Sequence, residues 1–160
     1  VSQWKDFHPL PGVGEAIAAL NRAGKRVLVV TNQRGVALGL YTTTDVERLH
    51  EQLQQWLAGF SAHIDAFYYC PHDKDVCRCR KPLPGLFEQA VDAYPDIGPA
   101  NSVMIGDSLS DIEAGTSFGM PTVFIEGDPD SRKSGYELAR TLADACALSL
   151  QNAVSVLTGS

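Results

Sequence analysis

No stretch of this chain comes near the roughly 18 consecutive apolar residues that a helix needs to cross a bilayer, which excludes a membrane-spanning helix from these 160 residues. The first residues also lack a basic cluster followed by an apolar stretch, so no secretory signal is expected and the cytoplasm is the expected location. Positive charge is short: 13 Lys and Arg against 19 Asp and Glu leave a formal net charge of -6. Nucleic-acid binding is therefore not expected, because it rests on many Lys and Arg contacts to phosphate. There is no internal repeat and no low-complexity segment. Hydrophobic content of 44% with 20% charged residues is that of an ordered globular chain, and one domain over residues 1–160 is expected, as a monomer.

Cysteine is also scarce, yet three of the four fall between positions 70 and 79. Cys70, His72, Cys77 and Cys79 form two i, i+2 pairs facing each other across a short loop, which is the ligand number and type that tetrahedral zinc takes. With all four positions filled by protein, such a zinc would brace the loop and would not act as a Lewis acid. The alternative is ordinary buried thiols or a disulfide, and a Cys-x-Cys bridge would be strained. Cys146 stands apart in an alanine-rich segment and reads as a small core residue.

The remaining pattern alternates helices and strands. Leu10-Pro11-Gly12 opens a helix carrying Val13, Ala16, Ile17 and Leu20, with Gly24 past its end. Arg26 to Thr31 reads as a strand buried on both faces of a parallel sheet. A capping box of Thr44 with Glu47 is expected to start a second helix, with Val46, Leu49, Leu53, Trp56, Leu57 and Phe60 on one face. Ile64 to Tyr69 is a strand delivering the cysteine loop, and Pro84 to Tyr94 is a helix. Ser102 to Asp107 is a strand, Leu109 to Phe118 a helix stopped by Gly119, and Pro121 to Ile125 a strand. The loop Glu126 to Gly135 follows, then an edge strand over Ala145 to Leu148 and a helix over Leu150 to Leu157. The fold class is α/β, a Rossmann-like parallel sheet flanked by helices, with a zinc-binding loop. Ligands bind such sheets beyond the carboxyl ends of the strands.

Three polar clusters fall at those ends. Asp107, after Gly106 and before a helix, is placed to hold Mg²⁺ beside a phosphate, since the hard cation takes oxygen ligands. Asp111 sits in the first helical turn, where an acid favours the helix macrodipole without any catalytic task. Thr31 offers a hydroxyl to a phosphoryl oxygen, joined by the backbone N–H groups of Asn32 and Gln33. Lys81 offers an ammonium to developing phosphoryl charge. Arg34, Arg78, Arg80, Lys81, Arg132 and Lys133 lie in three loops and would suit a small phosphorylated ligand if those loops converge. A solvated surface is the alternative.

These residues carry a resemblance. Leu10-Pro11-Gly12-Val13, Val30-Thr31-Asn32-Gln33, Cys70-Pro71-His72, Cys77-x-Cys79-Arg80-Lys81-Pro82-x-Pro84-Gly85 and Ile105-Gly106-Asp107-x-x-x-Asp111 resemble the haloacid dehalogenase (HAD) superfamily. The match is to its zinc-loop branch, which contains the heptose bisphosphate and histidinol-phosphate phosphatases, and it runs from about Leu10 to Ile125. The resemblance implies a HAD-like fold and a Mg²⁺-dependent phosphomonoesterase acting through an aspartyl phosphate. Thr31 and Lys81 would hold and stabilise the phosphoryl group, and Asp107 would bind Mg²⁺. Thr31, Asn32, Gln33, Arg34, Arg80 and Lys81 would contact a small phosphorylated sugar.

The family's first motif, an apolar strand ending in Asp-x-Asp-Gly, has no counterpart in these residues, so the nucleophile is expected to lie upstream and this chain alone is expected to be inactive. Asp128-Pro129-Asp130 is better explained as a loop turn. Gly35-Val36-Ala37-Leu38-Gly39 replaces a Gly-Ile-Ala-Arg-Gly usual in the heptose enzymes, and Ser108 replaces a common lysine. The heptose bisphosphate remains favoured over histidinol phosphate. The competing expectation is a catalytically silent module that binds a phosphorylated ligand or a protein. A polynucleotide phosphatase is disfavoured by the acidic charge.

Overall fold

The computed structural model describes residues 12–73, 77 and 79–158, with the side chains of Arg34 and Ser131 outside that description. Leu10 and Pro11 of the first expected helix lie outside it too. The chain divides into two units, residues 1–77 and 78–160. No described helix is long and apolar enough to cross a membrane.

The first unit has helix α1 (Val13–Arg22), strand β1 (Leu28–Asn32), the single-turn helix α2 (Arg34–Ala37), helix α3 (Thr43–Ala58) and strand β2 (Ala66–Cys70). β1 and β2 pair in parallel from Leu28 opposite Ala66 to Asn32 opposite Cys70. Side chains pin the segment that enters β2. Gln54 accepts from Ile64 N–H at 2.9 Å and donates to its carbonyl at 2.6 Å, and Asn21 brackets His63 in the same way. These bonds satisfy backbone groups that no strand uses, and they fix the register of β2. The core of this unit gathers Ala16, Ile17, Val46, Leu57, Ile64 and Cys70.

Two expectations change here. The capping box sits two residues earlier than expected: Thr42 Oγ1 accepts from Asp45 N–H at 3.1 Å and Asp45 Oδ2 accepts from Thr42 N–H at 2.9 Å. Asp45 thus does what Glu47 was expected to do, two residues nearer the true start of α3. β1 is half-buried along its whole length, not buried on both faces. Its only neighbour among the described strands is β2, so it is an edge with reduced cover.

The second unit has α4 (Gly85–Ala93), β3 (Met104–Gly106), α5 (Leu109–Phe118), β4 (Thr122–Ile125), α6 (Tyr136–Leu142), β5 (Ala145–Ala147) and α7 (Leu150–Thr158), with 3-10 turns at Pro99–Asn101 and Pro129–Ser131. Its strands form a second parallel sheet in the order β3-β4-β5. Parallel sheets flanked by helices bear out the fold class, although the described strands form two sheets where one was expected. Ile112, Phe124 and Ala139 make a core cluster under Leu109, Tyr136 and Ala143. Thr122 and the Asp144 side chain bond each other's backbone, at 2.8 and 3.2 Å, and hold β4 to the chain entering β5. Cys146 is exposed, not a core residue. β5 is a short edge strand paired only with β4 among the described residues, which leaves Cys146 at the surface with its Sγ–H directed to the Arg140 carbonyl.

Candidate functional site

The parallel register brings the ends of β1 and β2 side by side. Asn32 lies opposite Cys70, and the N–H of Gln33 donates to the Cys70 carbonyl at 2.7 Å. The turn after β1 is therefore tied to the first residue of the cysteine loop. That bond also corrects one expectation. The Gln33 backbone N–H is consumed within the fold, so Gln33 has only its side chain to offer a ligand. The side-chain amide donates from Nε2 to Thr31 Oγ1 at 3.5 Å and accepts at Oε1 from the Tyr41 hydroxyl at 2.7 Å. Tyr41 carried no signal in the sequence, because its partner is reached through a loop and not at a helical or strand spacing. The Arg34 side chain and all of Arg78 lie outside the described residues.

The cysteine loop forms the group that its spacing predicts. One ligand atom from each of Cys70, His72, Cys77 and Cys79 lies within 4.8 Å of every other. Cys70 Sγ is 3.2 Å from Cys77 Sγ and 3.6 Å from His72 Nδ1, and all of these cysteines are free thiols. In a tetrahedron with Zn–S of about 2.3 Å, ligand atoms stand about 3.8 Å apart, so the cluster is already near zinc dimensions. Cys70 is fully buried while His72 is exposed, so the group spans the core and the surface of the loop.

In the second unit, Lys81 and Asp111 form a close, nearly buried ion pair, their side chains 10% and 9% exposed. The pair depends on two local features. Ser108 caps α5 by accepting from the Asp111 N–H at 3.4 Å, which turns the Asp111 side chain back toward β3. Gly106 makes room for it, since a Cβ there would lie 2.3 Å from the Asp111 Cβ. Asp111 was weighed in the sequence as a helix-dipole acid. Its burial shows otherwise, because an acid that serves only the dipole can stay in water. The glycine five residues before it, in the i, i+1, i+5 pattern Gly106-Asp107-x-x-x-Asp111, is the available signal.

Asp107 is of the opposite kind. It stands at the end of β3 with its carboxylate largely exposed and accepts from Lys133 Nζ at 3.0 Å. Hard, accessible oxygen donors of this sort fit Mg²⁺. Lys133 arrives on a loop anchored by its neighbours: Arg132 stacks over the Tyr136 ring at 4.1 Å, and the Tyr136 hydroxyl donates to Glu126 at 2.9 Å. Arg80 has a guanidinium nitrogen, Nη1, that is buried without a hydrogen-bond partner among the described residues. Asp128 and Asp130 close a turn, with Asp128 Oδ1 accepting from the Asp130 N–H at 2.9 Å, as the loop-turn explanation expects.

Known proteins resemble this chain in sequence and in overall fold. A D-glycero-alpha-D-manno-heptose-1,7-bisphosphate 7-phosphatase of Mycobacterium tuberculosis is 43% identical over 114 residues, covering 71% of this chain and 60% of the relative. The chain thus spans about 60% of the length of that relative. A D-glycero-beta-D-manno-heptose-1,7-bisphosphate 7-phosphatase of Vibrio cholerae is 37% identical over 153 residues, covering 88% of this chain and 80% of the relative. The crystal structure of D,D-heptose 1,7-bisphosphate phosphatase from B. bronchiseptica, complexed with magnesium and phosphate, superposes with a TM-score of 0.85 at 29% identity, covering 98% of this chain and 87% of that one. The family model described as haloacid dehalogenase-like hydrolase matches residues 3–119, and the chain belongs to that family.

Proposed function

We propose that this chain is the greater part of a Mg²⁺-dependent phosphomonoesterase acting on a small sugar phosphate, with D-glycero-D-manno-heptose 1,7-bisphosphate as the leading substrate. The observation that carries the reading is the pair of neighbouring cations Arg80 and Lys81. An N–H of a charged group buried without an acceptor is costly, of order 1–3 kcal/mol or more, and a bound anion is one of the ways in which native structures meet that cost. Arg80 Nη1 is such a group. Beside it in sequence, Lys81 is held by a buried carboxylate and so is pre-oriented. Two fixed cations suit a phosphoryl dianion better than a neutral or cationic ligand.

In this reading Lys81 and the Thr31 hydroxyl stabilise the phosphoryl oxygens. Asn32, the Gln33 side chain, Arg34 and Arg80 contact substrate, and Asp111 keeps the Lys81 ammonium in place. Asp107 would hold Mg²⁺, which when bound neutralises phosphate charge. Cys70, His72, Cys77 and Cys79 would hold a zinc that shapes the loop leading to Arg80. Free thiols at such a site suit a reducing cytoplasm. The attack on phosphorus is assigned to a carboxylate outside these 160 residues, because neither Asp-x-Asp here, Asp73-Lys74-Asp75 in the cysteine loop or Asp128-Pro129-Asp130 in the Asp128 turn, is followed by glycine. The heptose assignment is supported by relatives named for both anomers of the bisphosphate.

The test is Lys81→Ala in the intact gene product. Turnover should fall by about 10² or more, as expected for loss of a preorganised charge in a transition state. A variant that keeps wild-type turnover would remove Lys81 from the site and with it the reading.

A further inference from the structure

Tyr41 follows the short helix α2, and its ring lies over Gly35. A Cβ at Gly35 would stand 2.2 Å from Tyr41 Cε1, so only glycine admits the ring there. The segment between them is closed by Leu40 N–H to the Gly35 carbonyl at 2.8 Å and by Val36 N–H to the Gln33 carbonyl at 3.1 Å. Both backbone groups of Gln33 are thereby committed, its N–H to Cys70 and its carbonyl to Val36. What remains adjustable is the side-chain amide, which can turn over to present either its oxygen or its NH₂ to a neighbour.

The Tyr41 hydroxyl bonds the oxygen end of that amide. By donating to Oε1 at 2.7 Å it leaves Nε2 to face Thr31 Oγ1 at 3.5 Å. A hydroxyl that receives a donor on one lone pair directs its own proton elsewhere. With the amide reversed, Oε1 would face Thr31 and take that proton, and the hydroxyl would turn lone pairs toward an anion. We infer that Tyr41 is a positioning residue: through the Gln33 amide it keeps the Thr31 hydroxyl a hydrogen-bond donor to the bound phosphoryl group. This rests on the phosphoryl-binding role proposed for Thr31.

The test is titration of the intact gene product with inorganic phosphate in excess Mg²⁺, followed by NMR of backbone and side-chain amides, for wild type, Tyr41→Phe, Thr31→Val and the double variant. Tyr41→Phe keeps the ring over Gly35 and removes only the hydroxyl. It should weaken phosphate binding about three- to tenfold, the range of one hydrogen bond, and should shift the Gln33 side-chain NH₂ resonances. In the Thr31→Val background it should have no further effect, because its action passes through that hydroxyl. If Tyr41→Phe fails to fold, Gln33→Met decides instead: it removes the amide without adding charge, it should weaken phosphate at least as much, and a loss that simply adds to that of Thr31→Val overturns the role. Undiminished affinity in Tyr41→Phe, or losses that simply add to those of Thr31→Val, would overturn the positioning role while leaving Thr31 in place. If Thr31→Val binds as wild type does, or wild type binds no phosphate, the phosphoryl reading itself is overturned.

Discussion

Replacing Asp111 by asparagine changes one atom and keeps the shape that Gly106 accommodates, so it isolates the charge of the Lys81–Asp111 pair. Both side chains are about nine-tenths buried. Removing one partner of a buried pair typically costs 3–5 kcal/mol, because the other charge keeps its desolvation penalty. The amide oxygen of Asn can still accept from Lys81, so the lower end applies, about 3 kcal/mol. In a chain of this size each kcal/mol moves the melting temperature by roughly 2–4 °C, which predicts a drop of about 6–12 °C. Asp107 provides the control in the same unit. Its pair with Lys133 is largely exposed on both sides, and Asp107→Asn should stay within about 1 kcal/mol of wild type. The assay is urea unfolding of wild type, both single variants and Lys81→Met/Asp111→Asn, with the slope checked for constancy. The double variant carries neither charge and should recover at least half of the Asp111→Asn loss. Asp111→Asn costing no more than Asp107→Asn would refute the argument from burial.

Metal analysis of purified protein should find near-stoichiometric zinc, and Cys77→Ser, which removes one of four clustered ligands, should lower both the zinc content and the stability of the loop; no zinc and no change in the variant would sink the structural-metal assignment. A pH effect follows from His50, which stacks on Phe67 at a centroid distance of 4.1 Å. Desolvation by burial holds its pKa below the ordinary value, with the nearby Glu47 carboxylate partly opposing. The unfolded chain then binds a proton that the folded one resists, so stability should fall as pH drops below about 6.5, and His50→Gln should flatten that dependence between about pH 7.5 and about pH 5.5. Identical pH dependence in the two proteins would remove His50 as its source.

The legible parts of this molecule are those whose signals are local. The span of α5 matched Leu109 to Phe118 residue for residue, because Ser108 and Gly119 punctuate it. The cysteine loop was legible because i, i+2 ligands cannot avoid each other in a short loop. Where two polar residues compete for one role, spacing alone did not decide, and Thr42 with Asp45 took the cap expected of Thr44 with Glu47. Helix α6 was not expected at all. Only Ala139 of its seven residues is buried, while Leu138 and Leu142 face water, so it lacks the apolar stripe by which helices are found. Tertiary partners were the least legible: nothing near Asp111 in sequence points to Lys81, and nothing near Gln33 points to the Cys70 carbonyl or the Tyr41 hydroxyl.

The most direct measurement is phosphate release by the intact gene product from D-glycero-D-manno-heptose 1,7-bisphosphate and, in parallel, from histidinol phosphate, each with Mg²⁺ and with a chelator. The account predicts Mg²⁺-dependent release of one phosphate from the heptose bisphosphate, with kcat/KM at least about tenfold above that for histidinol phosphate, a difference of about 1.4 kcal/mol in transition-state binding. Release from neither ester, with phosphate still bound, would contradict a phosphatase and leave a binding module in its place.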